Sequence, residues 1–346
     1  TGEIVSDRYG LKDLVHAHTG VFDEGYANAL GLRRSLVPRV LTPWSLVGYT
    51  TTAQAEETGL PAGLPVSCGT IDAFAGLVGS GGQENGDVCD VSGTSEIIGL
   101  VRAAPAQPFE AFLCYPLVDG YSVTFGVTRA AGDSIDWFVR QIIGASDFGA
   151  WISAFQARLA EKKDIPRSGP VLFWPYLDGE RSPLWDADVR GMFVGLDVNT
   201  DSDILARAVL EGIAFSIRHN LDLLEERTGT KPARMWVGGG TARIGWFNQI
   251  KADVTGLEVL VPTEHETTAR GAVAMARVSL GTSPDVLSAA RSLIGTPVRL
   301  APRPRWQRHY DRLMPIYTKL ATTLRPVYRE LAAVRAASFE EATDHR

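Results

Sequence analysis

The order of predicted strands and helices after residue 87 constrains the fold of this chain more than any other feature. Three strands come first, and helices and strands alternate from there on. The strands are predicted at 87–92, 95–101, 121–127, 171–177, 233–237 and 257–261, and the helices at 134–143, 147–162, 201–227, 244–255 and 268–280. Strands joined by short turns pair antiparallel, whereas strands separated by helices favour parallel pairing. The order therefore predicts an α/β fold with a hairpin-linked antiparallel part and a parallel part.

Two helical stretches carry further expectations about their ends. The helix at 201–227 has an apolar stripe at steps of three and four residues, and we expect it to begin at Thr200 as N-cap, with Asp203 completing a capping box. The amphipathic stretch at 306–336 contains two prolines, and we expect these to break it.

Composition excludes several classes of protein. The chain has 346 residues, with 34 Lys and Arg against 40 Asp and Glu, so its net charge is −6. A negative balance argues against a nucleic-acid partner, which needs a basic surface. No apolar run approaches the ~18 residues of a membrane span, and the chain does not open with a signal-peptide pattern. Three cysteines in apolar contexts (Cys68, Cys89 and Cys114) indicate buried thiols in a reducing compartment, so we expect a cytoplasmic protein.

A run of glycines between a predicted strand and a predicted helix is the first candidate for binding. Gly238, Gly239, Gly240 and Thr241 would let backbone amides approach a ligand, and the following helix N-terminus would favour phosphate. A tight turn without a ligand explains the glycines equally well. The run is not a dinucleotide fingerprint, because Arg243 stands where the last glycine would be required.

Two further motifs are weak when taken alone. Gly93 and Thr94 lie in a turn between two predicted strands, where amides and hydroxyls can bind phosphate oxygens, but most such turns are only turns. Asp72 precedes a helix of small apolar residues, so it could be the cap of that helix or a catalytic carboxylate. The pair His16 and His18 lacks a third metal ligand nearby and is expected to be a surface pair.

Taken together and in sequence order, these motifs resemble the FGGY carbohydrate kinases, most closely the xylulokinase-like branch. The matching segments are 59–66 followed by 69–73, 92–95, 179–186 (Gly-Glu-Arg-Ser-Pro-Leu-Trp-Asp) followed by 190–196, 207–212, and 238–240 followed by 249–253. The resemblance implies ribonuclease-H-like domains of the actin and hexokinase type, one complete and one partial, and ATP-dependent phosphorylation of a sugar or polyol. Beyond the small-molecule substrate, we expect a homodimer as partner, and neither a nucleic acid nor a membrane.

The resemblance also assigns roles to individual residues. Asp72 matches the catalytic base, and the turn with Gly93 and Thr94 matches the site of the β- and γ-phosphates. The residues implied on the nucleotide side are Gly239, Gly240 and Thr241 and, in a second segment, Gly132 and Asp136. Mg²⁺ is implied together with ATP, although the resemblance leaves the metal ligands of this chain unknown.

One departure from the family pattern concerns the start of the chain. The family begins with a strand and an Asp-x-Gly-Thr-Thr phosphate loop, which nothing here matches. The resemblance thus implies that residues 1–82 are the end of a first, sugar-binding domain and that residues 83–346 are the nucleotide-binding domain. We expect the 346-residue chain alone to bind nucleotide weakly and not to phosphorylate sugars. A non-catalytic nucleotide-binding or regulatory role on the same scaffold stays open as the alternative.

Overall fold

A computed structural model describes residues 1–11, 14–16, 19–107, 109–118, 120–129, 131–161 and 170–344. Its strands are β1 (Val5–Asp7), β2 (Arg39–Leu41), β3 (Leu46–Tyr49), β4 (Pro65–Ser67), β5 (Asp87–Ser92), β6 (Glu96–Arg102), β7 (Leu113–Pro116), β8 (Ser122–Thr128), β9 (Leu172–Trp174), β10 (Met192–Val194), β11 (Arg234–Gly239), β12 (Glu258–Val261) and β13 (Val298–Leu300). Its helices are α1 (Glu24–Ala29), α2 (Thr52–Thr58), α3 (Asp72–Gly79), α4 (Gly132–Trp137), α5 (Phe148–Glu161), α6 (Ser202–Thr228), α7 (Gly245–Thr255), α8 (Thr267–Ser279), α9 (Val286–Arg291) and α10 (Pro304–Asp344).

A seven-stranded sheet forms the centre of the molecule, in the order β13-β12-β11-β5-β6-β8-β7. Strands β12, β11 and β5 run parallel to one another. Strands β5, β6, β8 and β7 pair antiparallel in succession, and β13 pairs antiparallel with β12. The predicted combination of a hairpin-linked antiparallel part and a parallel part is therefore confirmed.

Helices cover both faces of this sheet. Side chains along a strand alternate between the two faces, and the strands carry apolar side chains on both. Val88 of β5 packs in a core with side chains of α6 and α7, whereas the next residue, Cys89, packs with side chains of α3, α8 and α9. A third core lies beyond α6, where α4, α5, β9 and α10 meet its outer side. Helix α6 is consequently buried over most of its length.

Helix α3 lies within residues 1–82 but packs closely against α8. A Cβ atom at Gly79 would overlap the backbone of Thr267, and one at Gly271 would overlap the carbonyl of Ala75. The two helices can therefore touch backbone to backbone only because glycine stands at both crossing points. This contact fixes the position of Asp72, the first residue of α3, relative to the central sheet.

The ends and continuity of two helices differ from the sequence expectations. The N-cap of α6 is Asp201, not Thr200, since the Asp201 carboxylate accepts a hydrogen bond from the backbone of Ile204 at 2.8 Å. Helix α10 runs through both Pro315 and Pro326 rather than breaking at them. Buried aromatic side chains on α10 pack against the outer core, and this packing offsets the hydrogen bonds that the prolines remove.

The sequence patterns also missed several short strands and overstated the burial of the cysteines. Strands β7, β10 and β13 have three or four residues each, too few to show a reliable alternation. Of the cysteines only Cys89 is buried, whereas Cys68 and Cys114 are half-buried, and all three are free. His18 lies outside the described residues, so the expectation about the histidine pair stays a prediction.

Candidate active site

The ends of four neighbouring strands lie in a row along one edge of the central sheet. Gly239 at the end of β11 is paired with Ser92 at the end of β5. Ser92 is paired with Glu96 at the start of β6, and Glu96 with Thr128 at the end of β8. The loops that leave these strand ends are therefore neighbours in space, although the chain separates them by up to 147 residues.

The turn between β5 and β6 presents free hydroxyl groups at this edge. Gly93 and Thr94 are exposed, and the hydroxyls of Thr94 and Ser95 have no hydrogen-bond partner among the described residues. The turn is closed by the Gly93 amide, which donates to the carbonyl of Ser95 at 2.8 Å. Such a turn can offer hydroxyl groups to phosphate oxygens without losing an internal contact.

The three glycines at the end of β11 and directly after it differ in what surrounds them. A side chain at Gly238 would overlap the Thr267 side chain, and one at Gly239, whose φ is +79°, would overlap the carbonyl of Ser92. Packing alone therefore requires glycine at both positions. At Gly240 no atom of the described residues, its chain neighbours aside, lies within 4 Å of where a Cβ would be, and its backbone is not left-handed. Of the three glycines, only Gly240 has no internal reason to be glycine.

Asp72 lies across from this edge, at the start of α3. It is the first residue of the helix and not its N-cap, which is Ile71. Its Oδ1 accepts a hydrogen bond from the Ala73 amide at 2.7 Å, while Oδ2 has no partner within the described part of the chain. The side chain is exposed. Capping therefore does not explain the carboxylate, and one of its oxygens is free to accept a proton.

A cavity of about 710 Å³ joins these features. Its lining includes Asp72, Gly93, Thr94, Gly239 and Gly240, together with Ile71, Ala73, Val91, Ser92, Ser95, Ile97, Leu113, Tyr115, Phe125, Val127, Arg181, His265, Glu266, Thr267 and Thr268. The structure thus brings five of the eight residues that the sequence singled out to one open space. A volume of this size can hold a small-molecule ligand.

The other three candidates do not line this cavity. Thr241 lies beneath it, buried, and donates a hydrogen bond from its hydroxyl to Ser92 Oγ at 2.5 Å. Gly132 packs against the turn between β5 and β6, and its amide donates to the Gly93 carbonyl at 3.1 Å. Asp136 forms an ion pair with Arg140 at 2.7 Å. A role for Gly132 and Asp136 in binding stays a prediction that rests on the resemblance alone.

A buried ionic cluster supports the edge from below. Lys251 Nζ lies 2.5 Å from Asp90 Oδ2 and 2.7 Å from Glu96 Oε1, and all three side chains are wholly buried. Burial and the charge of Asp90 raise the pKa of Glu96 well above its ordinary value. Burial by itself lowers the pKa of Lys251, but the two carboxyl groups outweigh it and the net shift is upward. Lys251 is therefore the shared cationic partner of two buried acidic side chains.

The loop after β9 brings in a residue that sequence reasoning did not select as a site residue, Arg181. The buried carboxylate of Glu180 accepts hydrogen bonds from the amides of Arg129 at 2.9 Å and Arg181 at 2.6 Å, and from the Thr128 hydroxyl at 2.6 Å. Burial raises the pKa of Glu180 to about 7. The matching segment 179–186 was visible in the sequence, but nothing in it indicated which side chain would reach the cavity.

A second missed segment is the loop between β12 and α8 together with the start of α8, from which His265 and Thr268 line the cavity. A signal for it existed in the element order. Strands β11 and β12 are parallel, so the loops that follow them leave the same edge of the sheet.

Some classes of site find no support in the part of the chain that the structure describes. It contains no group of three or more His, Cys, Asp or Glu side chains that could hold a metal ion. None of its helices combines the length and the apolar character needed to cross a membrane.

Comparison with known proteins identifies the family. Residues 90–280 match the FGGY family of carbohydrate kinases, C-terminal domain. The chain is 26% identical to a gluconokinase of Bacillus licheniformis over 92% of its own length and 63% of that protein, and 26% identical to a xylulose kinase of Bacillus subtilis (strain 168) over 93% and 64%. It is 30% identical to a glycerol kinase of Chloroflexus aurantiacus over 78% of its length and 52% of that protein. The chain thus spans less than two thirds of the length of these relatives.

A solved structure agrees in fold. The xylulose kinase of Lactobacillus acidophilus superposes with a TM-score of 0.83 at 23% identity, covering 96% of this chain and 66% of that one. The expected α/β fold of the actin and hexokinase type is confirmed. Because the family match extends over more than half of its residues, the chain belongs to the FGGY family of carbohydrate kinases.

Proposed function

We propose that the protein carrying this chain transfers the terminal phosphoryl group of ATP to a hydroxyl group of a sugar or polyol. The observation that carries the proposal is the cavity in which Asp72, the turn at Gly93 and Thr94, and Gly240 face one another. Phosphoryl transfer needs a base for the acceptor hydroxyl, donors for the phosphate oxygens and a position for the nucleotide. The cavity offers one candidate for each.

Asp72 is the proposed base. As the acceptor oxygen bonds to phosphorus and the bond from phosphorus to the bridging oxygen of ADP breaks, the hydroxyl proton passes to the free Oδ2 of Asp72. Helix α3, packed tightly on α8, holds this carboxylate in place. Its exposure to the cavity leaves room for an acceptor to approach within hydrogen-bonding distance, as a general base requires.

The turn and the glycines are the proposed nucleotide side. The amide of Gly93 is used within the turn, so the free hydroxyl of Thr94 is the group proposed to contact the β- and γ-phosphates. Gly240, with open space above it, would let the α-phosphate and the adenosine lie against the backbone. Thr241 would act from below, by tying the end of β5 to the glycine segment through Ser92.

The donor groups of the cavity fit Mg²⁺, which the family implies. This ion is usually bound through one or two carboxylates together with substrate phosphates and water, rather than by a cage of protein ligands. The proposed contact comes from Asp72 through a bound water, which leaves Oδ2 free to take the hydroxyl proton. The other carboxylate that lines the cavity in the described part of the chain, Glu266, already pairs with Arg243 at 2.7 Å. When bound, the ion would neutralise phosphate charge.

The finer expectations belong to the same proposal. The names of the relatives point to xylulose, gluconate and glycerol as acceptors of those proteins. For this protein we propose a sugar or polyol of that kind, with a ketopentose such as xylulose first, and a cytoplasmic location. The assignment of residues 1–82 and 83–346 to a first and a second domain stays a proposal, as does a homodimer.

The test is a kinase assay on the gene product that carries this chain, with ADP release measured over a panel of pentuloses, polyols and aldonic acids. The matched variant is Asp72→Asn, which keeps the shape of the side chain and removes its basicity. We expect kcat to fall by about 10²–10⁴-fold with unchanged thermal stability. Sugar-dependent turnover by Asp72→Asn within threefold of the parent would refute the assignment of the base. ATP binding without any acceptor-dependent turnover would favour the non-catalytic alternative.

A further inference from the structure

Within the part of the chain that the structure describes, Arg181 is the one arginine or lysine that lines the cavity. Its guanidinium has neither a hydrogen bond nor an ion pair with any residue that the structure describes. The other arginines around it are occupied. Arg129 pairs with Asp178, and Arg190 donates to two backbone carbonyls of its own loop at 2.7 Å. Burial raises the pKa of the adjacent Glu180 and outweighs the charge of Arg181, which acts to lower that pKa. A guanidinium at a shared cavity whose N–H groups have no internal acceptor is available to an anionic ligand.

The backbone at Arg181 is fixed to the same edge of the sheet as the turn between β5 and β6 that contains Gly93 and Thr94. Its amide is bound by the buried carboxylate of Glu180, which also binds the hydroxyl of Thr128. Thr128 is paired in register with Glu96, and Glu96 follows Thr94 by two residues. The arginine is therefore anchored one strand away from the turn that presents the free hydroxyls.

The charges of the cavity determine what kind of ligand needs this arginine. The acidic side chains of the lining are Asp72 and Glu266, and Glu266 is already paired. A nucleoside triphosphate brings several negative charges toward Asp72, and the largest repulsion would come from the phosphate that lies nearest to that carboxylate. A guanidinium on the neighbouring loop would offset it with two parallel hydrogen bonds.

We propose that Arg181 binds the phosphoryl group that is transferred, the terminal phosphate of the nucleoside triphosphate. This inference rests on the proposed function and adds a specific contact to it. The sequence motifs gave roles to other residues and none to the side chain of Arg181. Because the contact is to the terminal phosphate, it distinguishes ATP from ADP.

The experiment compares Arg181→Ala with Arg181→Lys and with the control Arg129→Ala, which removes an exposed arginine of the adjacent strand end that does not line the cavity. Calorimetric titration of each variant with ATP and with ADP is the readout, after thermal denaturation has shown equal stability. We expect Arg181→Ala to weaken ATP binding at least tenfold and ADP binding less than threefold. The ATP affinity of Arg181→Lys should lie between those of Arg181→Ala and the parent. Arg129→Ala should bind both nucleotides as the parent does.

Each other result counts against the inference. Equal ATP affinity in Arg181→Ala and Arg129→Ala would overturn it. An equal loss for ATP and ADP would place the arginine on an inner phosphate and would also overturn it, while leaving the proposed function standing. Failure of the unaltered protein to bind ATP would instead remove the proposed function, and this inference with it.

Discussion

Two layers at the same edge of the central sheet treat polar groups in opposite ways. In the lower layer, Asp90, Glu96 and Lys251 are wholly buried, and the lysine contacts both acidic side chains. In the upper layer, Asp72 and Thr94 face the cavity with oxygen atoms that have no partner in the described part of the chain. Thr94 and Glu96 are two residues apart, yet Glu96 is buried in the fold and Thr94 is exposed to a ligand.

The difference separates stability from binding. A buried charge must be matched internally, because water cannot reach it, and losing its partner costs several kcal/mol. An exposed polar group at a cavity makes its main interactions with water or ligand, so changing it should leave the fold intact. Variants of the lower layer should therefore unfold the protein, whereas variants of the upper layer should change its affinities or rates.

Removal of the buried cation should have the largest effect on stability. In Lys251→Met the buried side chains of Asp90 and Glu96 lose their shared cationic partner, and we expect the free energy of unfolding to fall by about 3–5 kcal/mol. Urea denaturation at pH 7 measures this, with Lys319→Met, an exposed lysine of α10, as the control. A loss below 1 kcal/mol, or a selective loss of ATP affinity at unchanged stability, would contradict the separation of the two layers.

Glu180 is buried like the lower layer, but its carboxylate binds the amide of Arg181, which lines the cavity. Its titration makes the stability of the protein depend on pH. Burial raises its pKa from 4.5 to about 7, so between these values the folded protein binds more protons than the unfolded chain. Stability contributed by this group is therefore lost as pH rises through the window from 4.5 to 7. Between pH 5 and pH 8 the free energy of unfolding of the unaltered protein should fall by about 2–3 kcal/mol more than that of Glu180→Gln.

Denaturation of both proteins at the two pH values isolates this contribution. Other buried groups titrate in both proteins and cancel in the comparison, including His219, whose pKa burial lowers to about 4. Parallel stability curves for the two proteins would show that Glu180 is not the group that titrates.

Local patterns were sufficient where a segment's own sequence decides its structure. The strand predicted at 87–92 follows from the alternation of its own residues and is found as expected. The strand predicted at 233–237 is also found, although it extends to Gly239 and so includes two of the three glycines. The structure of α10 could not be predicted in this way. Its prolines predict a break, and only the buried face that α10 shares with the outer core explains why the helix continues.

Contacts between distant residues account for what the sequence did not show at the site. The ionic cluster joins positions 90, 96 and 251, and no spacing in the chain links the lysine to the two acidic residues. Arg181 reaches the cavity because its loop is tied to β8 through Glu180, a contact between residues about fifty positions apart. Such partners can be identified only after the strands have been placed side by side.

Gly240 gives the smallest but most selective test of the comparison. A side chain there meets open space, so Gly240→Val should change the free energy of unfolding by less than about 1 kcal/mol. The same side chain would stand where the nucleotide is proposed to approach the backbone, and we expect ATP binding to weaken at least tenfold. Gly245→Val is the control, since Gly245 is also exposed but does not line the cavity.

The measurement that tests the central claim most directly is calorimetric titration of ATP into the gene product that carries this chain, unaltered and as the variants Gly240→Val and Gly245→Val, under identical conditions. The account predicts saturable binding to the unaltered protein and to Gly245→Val, and binding at least tenfold weaker to a Gly240→Val protein of normal stability. Equal ATP affinity in all three proteins would show that the glycine segment is only a turn, and that the open layer of this sheet edge does not bind the nucleotide.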